Sequence, residues 1–409
     1  MVLGVVLLLI LLKPIIGQAG SWDINAELGV EVRSFPEEPQ FSGQFNHWQS
    51  SFFSSVEVKW KSDDSKHQFF VEPFVRLDSQ DSERSHGDLR EGYYRYSNSG
   101  DWSILAGLGK VFWGVAESRH LVDIINQSDS VEDIDNEDKL GQPMVKLTFL
   151  KDWGKLNLFV LPGFRERTFP GVKGRLRGPV IVDSKNARYE ASEGDNHVDY
   201  AIRYSHYFGD WDIGLSAFHG TSRAPRFAFN MPDNRLTPIY DQITQLGIDI
   251  QYTYDAWLWK FEGITRAGQG KRFFASVAGV EYTFYQVSGS SWDIGAIVEY
   301  QYDGREKVTQ VSLTEPPYET PSPFVVEDND IFTGLRFALN DSQDTSFLVG
   351  SAIDTHDSSI FILLEAERRL GTNWTAEFEA RLFANTSSSN VAAVFRDDDF
   401  FLLRFTRRF

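Results

Sequence analysis

Apolar and polar residues alternate strictly along much of this chain. Residues 22–33 read WDINAELGVEVR, so apolar side chains from Trp22 to Val32 occupy every second position, with polar residues or glycine between them. The same period returns in three later segments: 211–217, 292–300 and 374–382. Alternation places successive side chains on opposite faces of a β-strand, and no stretch after residue 20 keeps a comparable helical period. We therefore predict an all-β protein.

The alternating segments predict a closed antiparallel transmembrane barrel. We count about eighteen strands of about ten residues, with about sixteen strands as the alternative, and even numbers are typical of such barrels. The predicted strands begin near residues 22, 50, 67, 88, 101, 143, 153, 198, 211, 239, 256, 272, 292, 330, 344, 359, 373 and 399. Short turns alternate with long connections, notably 113–142, 164–197, 220–238, 303–329 and 383–398. In a transmembrane barrel the short turns face the periplasm and the long loops face the outside.

Tryptophans are concentrated at one end of every second predicted strand. Seven of the eleven follow a short turn, and six of these share the apolar face of their strand. The six are Trp22, Trp102, Trp211, Trp257, Trp292 and Trp374. An indole ring favours the membrane interface, where its body meets hydrocarbon and its N–H stays hydrated, so we predict an aromatic girdle. A soluble β-sandwich or propeller would explain the alternation but not this placement.

The N-terminal segment, residues 1–19, is predicted to be a removed secretory signal. An apolar run from Val2 to Leu12 precedes the small residues Gly17 and Ala19, a pattern found before signal-peptidase sites. The run is shorter than the roughly twenty residues that a membrane-spanning helix needs, which disfavours an anchor. The remainder, residues 20–409, is predicted to be a single barrel domain.

Composition narrows the function classes. The chain has no cysteine, so an exported protein of this kind is held together by packing and strand pairing rather than by disulfides. A formal net charge of -18 argues against nucleic acid as a partner, because phosphate binding needs clustered Lys and Arg. The sequence carries no zinc-ligand spacing, phosphate-binding loop or Gly-x-Ser-x-Gly elbow. We predict no cofactor, no metal and no enzymatic activity.

The chain ends in FFLLRFTRRF, residues 400–409. Phe401, Leu403, Phe405 and Phe409 share one parity and are predicted to face lipid on a closing strand. Together with the signal and the alternation, this ending resembles bacterial outer-membrane β-barrels of the porin type. In that class a C-terminal aromatic residue is the signal read by the barrel-assembly machinery, and Phe409 matches it. The resemblance implies the outer membrane of a Gram-negative bacterium, with lipid and lipopolysaccharide as neighbours and either single barrels or homotrimers.

The connection 113–142 is strongly acidic and follows the fifth predicted strand, which makes it the third loop on the outside of the membrane. The third loop folds into the bore in many porins, so we predict that this one narrows the lumen. Its candidate constriction residues are Glu117, Arg119, His120, Asp123 and Asp129. The run 129–138 could offer carboxylates to Ca²⁺, but it lacks the glycine turn and spacing of an EF-hand, so a solvated acidic loop is favoured.

The same region resembles an uncharacterised family of proteobacterial outer-membrane proteins. In that family Trp-Gly-Glu-Ser and Asn-Pro-x-Asp patterns surround this loop. The residues that match are Trp113, Gly114, Glu117, Ser118, Asn126 and Asp129, with two residues inserted in the first pattern and Gln127 and Ser128 replacing the proline spacing. The resemblance covers part of the chain and implies a barrel without specifying a function.

A second long connection is basic. Within residues 164–179 the cations are Arg165, Arg167, Lys173, Arg175 and Arg177, against the single acid Glu166. An acidic loop facing a basic one across a pore would create a transverse field that orients dipolar solutes and selects among ions. Two alternatives remain open, because the loops could simply pair with each other or the arginines could meet anionic lipopolysaccharide.

Charged residues also recur on the inward parity of the last strands. These are Glu365, Glu367, Glu377, Glu379, Arg381, Arg404 and Arg408, and barrel closure would bring Glu27 and Glu31 beside them. Pairs of this kind stiffen a sheet across neighbouring strands. In a lumen wall they would also influence ion selectivity.

These features together predict a passive channel for small polar or ionic solutes. One alternative is a conduit for lipid or another apolar substrate that works with an inner-membrane partner and uses inward aromatic residues: Phe70, Phe74, Tyr207 and Phe218. A remote alternative is an outer-membrane hydrolase, which would require a serine or an aspartate beside His120 or His206.

Overall fold

The computed structural model describes residues 20–98, 100–305, 319–320, 329–388 and 390–409. The predicted signal segment lies outside these residues, as does most of the predicted long connection 303–329. Across the described ranges, we find no helix that is both long enough and apolar enough to cross a membrane.

Eighteen antiparallel strands form one closed sheet. In chain order they are β1 (Gly20–Ser34), β2 (Trp48–Ser62), β3 (His67–Asp78), β4 (Gly87–Asn98), β5 (Trp102–Gly109), β6 (Gln142–Lys151), β7 (Gly154–Pro162), β8 (Val198–Phe208), β9 (Trp211–Thr221), β10 (Gln242–Tyr254), β11 (Trp257–Gly268), β12 (Gly270–Phe284), β13 (Asp293–Asp303), β14 (Asp330–Ala338), β15 (Ser346–Asp354), β16 (Ile360–Leu370), β17 (Trp374–Ala384) and β18 (Phe400–Arg408). Each strand pairs with its neighbours in the chain, and β18 pairs with β1. The predicted closed barrel of eighteen strands is confirmed, and every predicted start lies within three residues of the observed one.

The strand register accounts for the regular alternation of apolar and polar residues along the chain. Ile24 and Val30 of β1 are 57% and 50% exposed on the outer face, whereas Glu31 and Arg33 point inward and are buried. Where the barrel closes, Glu31 lies opposite Arg404. Because the side-chain period of a strand is two, shifting the register by one residue would turn the apolar face into the lumen and the charges into the lipid.

The two ends of the barrel differ in their connections. At one end, here called the short-turn end, adjacent strands are joined by tight turns that use positive φ, such as Gly209 (φ 62°) and Asp255 (φ 53°). At the other, the long-loop end, the connections include 35–47, 110–141, 163–197, 222–241 and 385–399. Two connections at that end are short: 355–359, and the hairpin between β11 and β12, which turns on the single residue Gln269.

The outer face carries aromatic residues at the short-turn end. Trp211 stacks on Tyr252 at 4.4 Å between ring centroids, and Trp257 packs against Tyr282 at 4.6 Å. Of the six tryptophans predicted to form a girdle, five are between 40% and 45% exposed: Trp22, Trp211, Trp257, Trp292 and Trp374. Trp102, the sixth, is half-buried and packs against Tyr96.

A second, smaller sheet lies among the connections of the long-loop end. Its central hairpin pairs Arg226–Asn230 with Arg235–Tyr240. Short strands from other connections extend it: Ile181–Val182, Arg188–Tyr189 and Glu319–Thr320. The sheet ties three long connections together by backbone hydrogen bonds.

The segment 110–141, here called the inner loop, packs against the inward faces of β5 to β12. Trp113, Val122 and Ile125 of this loop are buried in one apolar cluster with wall residues. The wall contributes Leu105, Met144, Phe159, Leu161, Ala201, Phe218, Ile243, Ile264, Phe273, Ala275 and Val277. Burying a large apolar side chain contributes about 2 kcal/mol, so several such residues hold the loop firmly against this side of the wall.

Candidate pore constriction

Two buried wall carboxylates bind the backbone of the inner loop. Glu262 of β11 accepts hydrogen bonds from the N–H groups of Val115 at 2.7 Å, Ala116 at 3.0 Å and Val122 at 3.2 Å. Its side chain is shielded from solvent. The loop therefore satisfies both oxygens of this buried carboxyl group with peptide dipoles, an arrangement also found where turns of backbone bind anions.

Glu299 of β13 likewise binds backbone N–H groups of the inner loop, at residues 117 and 118. It accepts from the N–H groups of Glu117 at 2.7 Å and Ser118 at 2.8 Å, and from the Ser118 hydroxyl at 2.6 Å. We call Glu262 and Glu299 the carboxylate clamp. Hydrogen bonds to charged groups are stronger than neutral ones, so the clamp fixes residues 115–118 closely.

A cluster of arginines binds the far part of the inner loop. Arg76 of β3 lies 2.6 Å from Glu132, and Arg33 of β1 lies 3.0 Å from Asp133. Burial alone would raise the pKa of Glu132, but Arg76 and Arg84 outweigh it and hold the pKa below its ordinary value. Glu132 is therefore ionised at neutral pH.

Glu31 of β1 lies at the centre of the same cluster. Its carboxylate oxygens lie 2.8 Å from a guanidinium nitrogen of Arg84, 2.9 Å from one of Arg404 and 3.2 Å from one of Arg76. These contacts link β1, β3, β18 and the connection 79–86 to one another. Because each buried charge has several opposite partners, the cluster avoids the penalty of an isolated buried ion.

Three of the predicted constriction residues lie beside the clamp. Glu117 reaches across to β14, where its carboxylate is 2.5 Å from Arg336, and it lies 3.9 Å from Lys260. Arg119 is exposed. His120 packs its ring edge-on against Phe112, and burial together with nearby cations lowers the pKa of His120 to about 4.

The other two predicted constriction residues are buried and paired. Asp123 lies 3.2 Å from Lys139, and burial raises the pKa of Asp123 above its ordinary value. Asp129 binds Arg90 at 2.6 Å and accepts a hydrogen bond from the Thr168 hydroxyl at 2.6 Å. Both carboxylates face protein groups rather than lumen water.

The predicted basic loop binds neighbouring connections. Arg175 donates to Asp398 at 2.5 Å and to the carbonyl of Asn46 at 2.5 Å. Arg177 donates to the carbonyl of Ser42 at 3.0 Å. These two buried arginines hold the connections 35–47 and 385–399 against 163–197 at the long-loop end.

Two more cations of that loop contact groups close to the inner loop. Arg165 pairs with Asp88 at 2.7 Å, and Arg167 donates to the Asn136 side chain at 2.7 Å. Lys173 is exposed. In the described structure the basic loop is thus mostly engaged in holding connections together, and the acids of the inner loop pair mainly with wall arginines.

A further acidic group on the inner loop faces β16 and β17. Glu137 and Asp138 are exposed, and Asp135 lies 3.5 Å from Arg381, which also binds Glu365 at 2.6 Å. Asp138 reaches lumen water, yet protein surrounds it on most sides. This burial, with repulsion from nearby acids on the same loop, raises the pKa of Asp138 to about 6. Burial likewise raises the pKa of Glu137.

The strand register puts the predicted charged wall residues on the inward face of β16 to β18. Arg404 bridges Glu31 and Glu377, the latter at 2.7 Å, and Arg408 pairs with Glu27 at 2.7 Å. The inward set is Glu365, Glu367, Glu377, Glu379, Arg381, Arg404 and Arg408. These contacts form a ladder across the closing strands.

Solvent-exposed inward side chains indicate where the lumen stays open. On the wall that faces the inner loop, the side chains of Arg336 and Glu365 are 43% and 45% exposed. In the half toward the short-turn end, Lys59 and Lys61 of β2 point inward and are exposed. Water therefore reaches the inward faces of β14 and β16 at these two side chains, and the inward face of β2 toward the short-turn end.

In the described part of the chain, one group of side chains has the spacing of a metal site: His86, Asp129 and Glu132, with ligand atoms within 4.8 Å of one another. Arg90 and Arg76 already bind its two carboxylates. The adjacent guanidinium groups would repel a cation, so these residues do not fit a metal ion.

Sequence reasoning missed the residues that hold the loop. Glu262 and Glu299 stand on the polar parity of their strands, and so does Arg76. The available signal was a charge on the inward face in the middle of a predicted strand. Periodicity assigns such a residue to the lumen but does not reveal which loop segment it meets.

The aromatic residues proposed for an apolar conduit do not form one lining. Phe218 is buried under the inner loop, whereas Tyr207 is 73% exposed. Phe74 packs under the guanidinium group of Arg90, 4.4 Å from its ring. His206, invoked for a hydrolase, lies on the outer face opposite Ile213.

No protein-family model matches this chain, and no curated protein matches it. Solved structures resemble it in shape. Pseudomonas aeruginosa OccK3 (OpdO) superposes with a TM-score of 0.50 at 10% identity, covering 95% of each chain. A mutant of the Rh. blastica porin gives a TM-score of 0.45 at 10% identity, covering 95% of this chain and 100% of that chain. At this identity the OccK3 likeness is evidence for the barrel fold alone.

Proposed function

We propose that this protein is an outer-membrane channel of a Gram-negative bacterium through which small polar or ionic solutes diffuse passively. The observation that carries the proposal is the inner loop, which is bound to the inside of the barrel while charged side chains beside it remain exposed to water. A closed barrel with a partly filled, polar lumen is the architecture of a size-limited aqueous pore. Phe409 and the outer tryptophans are consistent with membrane assembly and embedding.

The constriction is proposed to lie between the inner loop and the wall of β14 to β16. Its lining consists of charged residues that reach solvent: the half-buried Glu117 and the exposed Arg119, Glu137 and Asp138 on the loop, and Arg336 and Glu365 on the wall. Asp123 and Asp129 are excluded from the lining because buried, paired carboxylates cannot meet a solute. For the same reason the buried arginines of the basic loop are not part of it.

The proposed lining carries more acids than bases. Glu117 is offset by Arg336, whereas Glu137 and Asp138 lie near further acids. Rings of carboxylates favour cations in channels because they lower the energy of a cation in a narrow, partly dehydrated passage. The channel should therefore conduct cations in preference to anions at neutral pH.

Planar-bilayer recording tests the proposal. The wild-type protein should give ion-conducting steps and a reversal potential displaced toward the cation value in a KCl gradient. The combined change Glu137→Gln and Asp138→Asn should move that potential toward the anion value. A matched control is Glu193→Gln, which removes an exposed carboxylate at the long-loop end.

Absence of conducting steps from folded, inserted protein would overturn the channel proposal. Unchanged reversal potentials in the double variant would instead reject the assignment of the constriction. A liposome-swelling series over sugars, amino acids and small anions would then define the solutes that pass.

A further inference from the structure

We propose that Glu262 and Glu299 are positioning residues that set the shape of the constriction by holding one stretch of the inner loop in place. The inference rests on the proposed channel function. Neither residue faces the solute, so both act through the loop. Loss of either should make the passage fluctuate while the barrel itself stays intact.

Glu262 divides its hydrogen bonds between two parts of the inner loop. Its Oε1 atom accepts from Val115 and Ala116, while Oε2 accepts from Val122. One carboxylate thus ties together two parts of the inner loop, before and after the turn at residues 117–121. A side chain placed in this way fixes the turn as well as its distance from the wall.

Gly114 provides an independent observation for the same contact. Its φ is 144°, and a Cβ built there would lie 2.9 Å from Glu262 Oε1 and 3.1 Å from His120 Nδ1. Only glycine lets the backbone approach the carboxylate this closely in this conformation. Glycine at position 114 therefore makes room for the carboxylate of Glu262, so the sequence of the loop is adapted to the clamp.

The second clamp residue determines where Glu117 lies. Glu299 holds the N–H groups of Glu117 and Ser118, and from this anchored backbone the Glu117 side chain extends to Arg336. Arg336 is part of the proposed lining. Release of Glu299 would free the charge that faces the passage, whereas the neighbouring wall would keep its shape.

Other parts of the inner loop have different anchors. Residues such as Val122 and Ile125 are held by the apolar cluster, and Glu132 is held by arginines. In residues 114–118 the apolar cluster includes Ala116 alone, and the backbone N–H groups of 115–118 are all bound by the clamp. Weakening the clamp should therefore loosen a short stretch rather than expel the whole loop.

Single-channel recordings of Glu262→Gln, Glu299→Gln and the double variant test the inference. Glutamine keeps one acceptor oxygen but turns an amide N–H₂ toward the loop N–H donors, so each change weakens the clamp at constant size. We expect the single steady conductance level of the wild type to be replaced by rapid transitions that include a higher level. Glu367→Gln is the matched control, because it removes an exposed inward carboxylate of β16.

A second variant keeps every charge. Gly114→Ala pushes a methyl group against Glu262 and should reproduce the fluctuations of Glu262→Gln. This result would separate the position of the loop from the charge of the wall. Steady wild-type conductance in Gly114→Ala and in both glutamine variants would overturn the inference.

A readout that needs no ion current distinguishes failure of this inference from failure of the channel proposal. A nitroxide attached through Arg119→Cys and a second through Lys59→Cys report the distance from the loop to the wall of β2, and both native residues are exposed. The distance distribution should broaden in the clamp variants and stay narrow in Glu367→Gln. Equal widths in all proteins would reject the clamp even if the wild type conducts, and broadening would support it even if the wild type does not.

Discussion

Buried arginines connect parts of this chain that are far apart in sequence. Arg175 of the connection 163–197 joins two others to its own, since its guanidinium group meets Asp398 of 385–399 and both Asn46 and Glu37 of 35–47. Arg84 similarly joins Glu31 to the inner loop through the carbonyl of Val131. A guanidinium group suits this role because its planar array of donors can bind several oxygens at once and remains charged when buried.

Replacing Arg175 by glutamine should loosen the long-loop end. Asp398 is fully buried and would lose its ion pair, and removing one partner of a buried pair costs about 3–5 kcal/mol. We expect faster proteolysis within 385–399 and 163–197, with the barrel retained. Timed proteolysis in detergent measures this, and Lys173→Gln, an exposed change in the same loop, should behave as the wild type.

Asp138 should make ion selectivity depend on pH. Its pKa is raised to about 6, so the carboxyl group is mostly protonated and neutral at about pH 5 and mostly ionised at about pH 7.5. Cation preference should therefore weaken as pH falls through this range. Reversal potentials at the two pH values measure the change, which should shrink in Asp138→Asn. An equally large change in that variant would assign the effect to other acids.

At the scale of elements, the strands and the inner loop follow different rules. A strand such as β1 is specified by its own alternation and by pairing with β2 and β18. The inner loop has no periodic pattern and is specified by wall residues from many strands. The conformation of the inner loop therefore depends on tertiary contacts, whereas the conformation of each strand depends mainly on its own sequence pattern.

The last strand allows a test of the predicted assembly signal. Phe409 lies just beyond β18, where its N–H donates to the carbonyl of Ala26 at 3.0 Å and its ring lies under Arg407. These contacts are few, so deletion of Phe409 should barely change the stability of the barrel when it is refolded in detergent. If Phe409 is the signal for the assembly machinery, the same deletion should sharply reduce folded protein in cells. Gel mobility before and after heating measures the folded fraction, both for protein refolded in detergent and for protein assembled in cells. Equal losses in detergent and in cells would argue for a purely structural role of Phe409.

At the scale of the molecule, closure removes the free edges that an open sheet would expose. Each of the eighteen barrel strands has two partners, and the outer face is largely apolar. Such a surface is stable only in a bilayer or detergent. The core differs from that of a soluble protein, because its larger apolar cluster lies inside the barrel between the wall and the inner loop.

The purified protein should therefore require detergent and resist unfolding until heated. We expect a β-type circular dichroism spectrum and a shift in electrophoretic mobility on boiling, because the closed hydrogen-bond network must break cooperatively. A monodisperse, detergent-free solution of folded protein would contradict the transmembrane assignment.

The sequence by itself determined the strands, their number and the face that each residue occupies. A transmembrane barrel imposes one repetitive constraint, with apolar side chains outward and polar ones inward at every second position. This local rule was readable at Trp22 to Val32 and again at Phe401 to Phe405. It also put Glu365 and Arg404 on the inward face.

Only the tertiary structure decided what those inward residues do. Glu262, Glu299 and Arg76 resemble other inward charges in sequence, but they are buried against the inner loop. Arg336 also pairs with that loop through Glu117, yet its side chain stays 43% exposed. Asp123 and Asp129 lost contact with solvent, whereas Glu137 and Asp138 of the same loop keep solvent-exposed surface although protein surrounds much of each carboxylate. The physical reason is that a loop inside a barrel meets strands distant in sequence, so its contacts depend on closure and register rather than on any local period.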